Sequence, residues 1–299
     1  MKIDNIDYSI YQEELQKKGY TVIPNVYTKE EIDEYKNLFF EWYNSIYNLK
    51  TLHETIDFNG IFKHHQVGHQ RFAWLARTND KIINIFKFLW NTDSLVTSFD
   101  GCCYYPSNYK KESGYWVHTD QSVFKRGLWC NQSFLSLTDN TERTFIVYES
   151  THLMHQKYFE DMNIFETTDW NIINEDYCNS LSNRKKILKV DAGSLVIWDS
   201  RTFHQNTSGP INCKEERLVQ YLCYLPKDDN KNDETQQNKR VKLYEKLRTT
   251  SHWPYTLNPV PLQPNLYNYY NTENPINIDY DNLPKPKLGD LQFKINKLL

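Results

Sequence analysis

The stretch "WVHTDQS" (116–122) places an imidazole and a carboxylate two residues apart in a run that reads as the end of a strand. Along a strand, residues i and i+2 point to the same side. His118 and Asp120 therefore share a face and can converge on one point, where a metal ion would fit. Two ligands are not enough for a site. The best third ligand is His204, in "GSLVIWDSRTFHQN" (193–206), because "SLVIW" reads as a buried strand and the histidine lies just past the turn that ends it. Spacing alone leaves two readings open, a metal triad or histidines satisfied within the core.

Arg217 bears on that choice. It sits in "ERLVQYLCYL" (216–225), an otherwise apolar strand. A guanidinium on a buried strand needs an anionic or hydrogen-bonding partner. Arginine suits a carboxylate, which it holds through two parallel hydrogen bonds. Two imidazoles and one carboxylate on one face of a metal leave open positions, the geometry that non-haem Fe(II) oxygenases use. A dicarboxylate with one end on such a metal and the other on Arg217 would satisfy both places. The competing reading is an ion pair of Arg217 with Glu215 or Glu216.

Composition excludes several other classes. With 299 residues the chain is long enough for one large core, and 39% hydrophobic with 24% charged residues is a globular composition. A net charge of −3 carries no nucleic-acid footprint. The first residues, "MKIDNIDYSI", lack the apolar centre of a secretory signal. No window approaches the roughly 18 apolar residues of a membrane span. The six cysteines show neither CxxC pairing nor a disulfide framework. These features together predict a cytoplasmic protein with a small-molecule partner.

The apolar period divides the chain into three parts within one domain. Residues 1–94 read mainly as helices: "YSIYQEELQKKGY" stopping at Gly19, a strand "YTVIP", a helix capped by Thr28 with Glu31, and another from Asn79 or Asp80 to Trp90. Residues 95–226 read as short strands split by turns, as in a sandwich or barrel. Residues 227–299 begin with the polar loop "KDDNKNDETQQNKR" (227–240), followed by a helix and an extension that wraps the surface.

In that order, "GYTVIPNVYTKEEID" (19–33), "WVHTDQS", "DAGSLVIWDSRTFHQN" and "ERLVQYLCYLP" resemble the phytanoyl-CoA dioxygenase-like branch of the Fe(II)/2-oxoglutarate-dependent dioxygenases. The resemblance runs from about residue 18 to 225. It implies an α+β fold with a double-stranded β-helix core, a cupin-like jelly roll, flanked by N-terminal helices and the C-terminal extension. It implies that His118, Asp120 and His204 ligate Fe(II) and that Arg217 holds the distal carboxylate of 2-oxoglutarate. O2 would be the third reactant, with succinate and CO2 released. The carboxylate at 120 favours hydroxylation, since related halogenases lack it. The family's Gly-x-Leu-x-x-x-Pro-Gly-Ser-His turn reads here "RTFIVYESTH" (143–152), with Arg143 for the first glycine and Glu149-Ser150 for Pro-Gly.

Other residues complete the expectation. Gln132 faces the interior as a candidate contact to 2-oxoglutarate, with a structural amide as the plainer alternative. Arg77 and Trp116 are candidate substrate contacts. The histidine-rich "FKHHQVGHQR" (62–71) lacks regular ligand spacing and reads as a solvated or substrate-facing loop. Asp199 and Arg201 could pair beside His204. The competing functional readings are a non-catalytic metal-binding scaffold and a cupin-type metalloenzyme independent of 2-oxoglutarate.

Overall fold

A helix, Ser9–Lys18, stops at Gly19 and gives way to the strand Tyr20–Ile23. Gly19 has φ +83°, and a Cβ there would lie 2.5 Å from His152 Nδ1 and 2.7 Å from Thr202 Oγ1. Only glycine fits such a turn and approach. Its carbonyl accepts hydrogen bonds from the Asp199 N–H and the Thr202 hydroxyl. The start of the chain is thereby fixed to the turn that precedes His204. The structure, a computed structural model, describes residues 7–56, 59–265 and 276–299. It divides into two compact units, Met1–Asn25 with Tyr105–Arg217, and Val26–Tyr104 with Leu218–Leu299.

The first unit carries two antiparallel sheets. In one, Leu195–Asp199 lies between Tyr20–Ile23 and Asn131–Ser136. In the other the order is Asn171–Ile172, His118–Thr119, His204–Asn206, Phe145–Tyr148, Lys185–Ile187. Their inner faces meet through Phe134, Phe145 and Trp198, with ring centroids 4.8 to 5.9 Å apart. This is the double-stranded β-helix core, without closure into a barrel. Alternation along Phe145–Tyr148 sends Ile146 and Tyr148 outward. There they pack with Tyr158, Phe159, Cys178 and Phe203 beneath the helices His155–Asp161 and Glu175–Ser180.

Arg143, which stands where the family pattern has glycine, is fully buried and organises two loops of this unit. Its guanidinium donates to the carbonyls of Pro106, Tyr109, Ser208, Cys213 and Glu215. It also lies over the rings of Tyr105 and Tyr109, at 5.8 and 5.6 Å. The two loops lead to Trp116 and to Arg217, so this cation holds the approaches to both.

The second unit is built on the helices Lys29–Ser45, Leu49–Ile56, Arg71–Arg77 and Asp80–Trp90. Thr28 and Glu31 form the expected capping box, and Asn79 caps the last helix. Phe39, Trp42, Tyr43, Phe62, Phe72 and Tyr104 form an aromatic core, most pairs edge to face. Two expectations are corrected here. The segment holding His64, His65 and His69 is buried, not solvated: His64 meets the Pro261 carbonyl, His69 that of Arg248, and the His65 N–H donates to Leu262. The polar run 227–240 is not all loop, because Asp233 caps a helix, Glu234–Glu245, that begins within it.

Of the C-terminal extension, residues 266–275 lie outside the described residues, as do 1–6 at the start of the chain. Leu288 and Ile295 join Trp74 and Phe99 in a buried cluster, so the end of the chain supplies core as well as covering surface. No described helix is long and apolar enough to cross a membrane.

Burial holds three histidines neutral: His65 and His69 are pushed down to about 3 and His155 to about 4, from an ordinary 6.5. The unfolded chain takes up their protons below pH 6.5 and the folded chain does not, so stability falls with pH below that value. Each histidine contributes about 1.4 kcal/mol per pH unit until its folded value is reached. Tm should drop steadily between pH 7 and 5. A Tm flat across that window would contradict the neutral burial. Arg143→Ala leaves a cluster of buried carbonyls without their donor and should destabilise the protein by about 3 kcal/mol or more in urea unfolding.

Candidate metal centre

His118 and His204 stand directly opposite one another on paired antiparallel strands. Residues so placed share a face, with Cβ atoms about 5 Å apart. The two imidazole centroids are accordingly 4.3 Å apart. Asp120, two residues beyond His118, turns to the same point, and its N–H is fixed on the Ser200 carbonyl at 2.9 Å. Asp120 Oδ2 lies 3.5 Å from His118 Nε2 and 3.2 Å from His204 Nε2. One ligand atom from each residue lies within 4.8 Å of the others, and all three residues are buried. Donors about 2.1 Å from a common ion and at right angles sit about 3 Å apart, which these distances approach.

Each ring is held by its other nitrogen. His118 Nδ1 is 3.0 Å from the Trp116 carbonyl and His204 Nδ1 is 2.8 Å from the Thr202 carbonyl. A carbonyl only accepts, so both Nδ1 atoms carry protons and both Nε2 atoms present lone pairs to the shared point. Such partners fix tautomer and orientation at metal-binding histidines. Burial, reinforced by the neighbouring His118, holds His204 below the ordinary histidine range. Its neutral, ligating form is the stable one. Asp199 and Arg201 do form an ion pair, at 2.6 Å, in the turn before His204.

The same face continues away from the triad. Asn206, two residues past His204, accepts a hydrogen bond from Arg217 at 2.9 Å. Arg217 is buried, with its guanidinium 5.3 Å from the Phe134 ring. Glu215, one of the anticipated ion-pair partners, instead accepts from the N–H groups of Thr141, Glu142 and Arg143. Between Arg217 and His204 lie Phe134, Phe145 and Trp198, the last two with rings 5.3 Å from the His204 ring. Gln132 is cross-strand from Trp198 and therefore shares its face. Gln132 Nε2 and Trp198 Nε1 are buried donors with no hydrogen-bond partner. Unmet donors of that kind are costly unless something binds there. A ligand with carboxylate oxygens between triad and Arg217 would meet them, so the donor set fits Fe(II) with 2-oxoglutarate.

Trp116 stacks on His118 with centroids 4.9 Å apart, its indole N–H held by the Asn206 carbonyl. Arg77 belongs to the second unit, where it is fully buried and donates to the carbonyls of Gly68 and Asp100 beside Trp74. Sequence reasoning passed over Asn206, Trp198 and Trp170, whose ring is 5.7 Å from His118. Asn206 could have been found by counting two residues from His204 along the strand. Trp170 offered no signal, since its neighbourhood has no strand-like period.

Comparison with known proteins follows the same lines. The sequence model of a family described as "Phytanoyl-CoA dioxygenase (PhyH)" matches residues 15–210. "Ava biosynthesis cluster protein O" of Aspergillus versicolor is 26% identical over 243 residues, covering 74% of this chain and 78% of that one. Among solved structures, the "non-heme alpha ketoglutarate dependent carbocyclase SnoK from nogalamycin biosynthesis" is similar at a TM-score of 0.53. It is 15% identical, with 75% of this chain and 86% of that one covered. A hypothetical protein of Escherichia coli, JW0805, reaches a TM-score of 0.61 at 14% identity, covering 85% and 78%. At such identities the structural likeness speaks to the fold.

If the triad takes a metal through lone pairs on two Nε2 atoms, Co(II) added to the metal-free protein should give a saturable visible absorption band. His204→Ala should abolish that band while far-UV circular dichroism stays as in the parent. Equal Co(II) binding by parent and variant would remove the triad as the metal centre.

Proposed function

The chain belongs to the phytanoyl-CoA dioxygenase family, a family of non-haem oxygenases, and we propose that it hydroxylates a C–H bond of a small molecule using Fe(II) and 2-oxoglutarate. The observation that carries this reading is the cross-strand pair His118 and His204 with Asp120, both Nε2 lone pairs turned to one point. When bound, Fe(II) with 2-oxoglutarate and O2 supplies the oxidant that inserts oxygen into the C–H bond, and succinate and CO2 leave.

The protein's part is placement. His118, Asp120 and His204 would hold the metal on one side and leave the other side open. Arg217, steadied by the Asn206 amide and the Phe134 face, would take the distal carboxylate of the cosubstrate. Gln132 Nε2 would donate to one of its oxygens, which gives that buried N–H the partner it lacks. Phe134, Phe145 and Trp198 keep water from the space between, so that each of these hydrogen bonds acts in a medium of low dielectric. The α-ketoglutarate dependence described for SnoK supports the same cosubstrate here. A metal scaffold without turnover, or a cupin metalloenzyme without 2-oxoglutarate, gives no reason for a cation at Arg217.

Anaerobic titration of Fe(II) and 2-oxoglutarate into the metal-free protein tests the reading through the visible charge-transfer band of the chelate. The band should saturate and be absent in His118→Ala. Arg217→Ala should raise the 2-oxoglutarate Kd by about thirtyfold or more, the effect of removing one partner of a buried charged hydrogen-bond pair, with metal binding unchanged. Metal binding without any band would overturn the proposal.

A further inference from the structure

We propose that the open side of the metal centre binds an uncharged, flat, ring-bearing small molecule against the indole face of Trp170. This substrate class rests on the oxygenase reading above, and the indole geometry selects it. Two indoles lie near the His118 ring: Trp116 at 4.9 Å with planes 20° apart, and Trp170 at 5.7 Å with planes 40° apart. Trp116 is half-buried, and its indole N–H is tied to the Asn206 carbonyl. Trp170 is 52% exposed although it stands beside a buried metal-binding ring.

That exposure is not the result of a loose loop. Immediately before Trp170, the Asp169 carboxylate accepts from the Ser122 N–H at 3.1 Å and from Lys125 Nζ at 2.6 Å. Immediately after it, the Asn171 amide donates to the carbonyls of Thr168 and Asp169, and Ile172 stands opposite His118 in the ladder. The main chain on both sides of Trp170 is thus held, and its indole stands half in water beside His118. Covering the exposed half of that indole would remove apolar surface from water, which is favourable. A bound ring system would supply that cover.

The surrounding rim has the same character. Phe124 and Phe165 are each 60% exposed, on the two segments joined by the Ser122 hydroxyl to the Glu166 carbonyl at 2.9 Å. Of the cations on this rim, Lys125 is already neutralised by Asp169 and Arg126, next to it, is exposed to solvent. The rim therefore offers aromatic area and hydrogen-bonding main chain, and neither Lys125 nor Arg126 is a buried anchor for the phosphates of a CoA thioester. A flat ring sliding along the indole would carry a C–H bond towards the open side of the triad.

The test uses the Fe(II)-loaded, 2-oxoglutarate-bound protein without oxygen, so that binding is read apart from turnover. The probe is 2-naphthol, an uncharged fluorescent bicycle, with palmitoyl-CoA and proline as probes of the competing classes. Saturable 2-naphthol binding, weakened about tenfold in Trp170→Ala and less in Trp170→Phe, is the expected result. The chelate band must remain in both variants, which shows that the metal centre has formed. Binding of 2-naphthol that ignores position 170, or tighter binding of palmitoyl-CoA or proline than of 2-naphthol, would overturn the proposal. Absence of the chelate band in the parent would instead overturn the oxygenase reading.

Discussion

One cross-strand pair, His118 opposite His204, is the constraint on which the centre depends. Strand side chains alternate with a period of two, so a slip of one residue in that pairing would send one imidazole to the outer face. The register is held from several directions. His204 also pairs with Val147, His118 with Ile172, and the Thr202 hydroxyl is tied to Gly19. The outer face is sealed by Ile146, Tyr148 and Phe203 under two helices, which makes the slipped arrangement costly. The hydrophobic core of this unit therefore works as a register lock for the His118, Asp120 and His204 triad.

The same alternation extends the site. Counting in twos along one strand leads from His204 to Asn206, and Asn206 meets Arg217. Counting in twos along Asn131–Ser136 puts Gln132 and Phe134 on one face, opposite Trp198. The candidate metal-binding triad, an apolar middle and a cationic end lie in sequence along these inner faces. That polarity matches a molecule with a chelating end, a short carbon chain and a distal carboxylate.

Much of this was legible in the chain itself because it follows from short-range periodicity. The i, i+2 pair, the strand before His204, the stop at Gly19, and the caps at Thr28 and Asn79 are all local rules, and the structure shows each of them in place. What escaped depends on contacts between distant segments. The burial of His65 and His69 comes from residues 248–262, far along the chain, whose carbonyls and N–H partners no local pattern announces. Ile295 enters a core that composition would assign to a wrapping tail. A neighbouring glutamate was the competing partner for Arg217, and Glu215 is drawn instead to three successive N–H groups of the 141–143 turn.

The buried arginines show why burial of a cation does not by itself mark a functional site. Arg143 in the first unit, and Arg77 and Arg240 in the second, direct their guanidinium groups to main-chain carbonyls. Such bonds disperse the charge over fixed dipoles and hold loops in place, and they leave little capacity for a ligand. Arg217 differs in that one of its acceptors is a side-chain amide on the strand that bears His204, with an aromatic ring beneath the guanidinium. An amide oxygen can rotate aside for a carboxylate, whereas a carbonyl in a sheet or turn cannot. On the proposed reading of Arg217, the nature of an acceptor says more than depth of burial about which cation could receive a ligand.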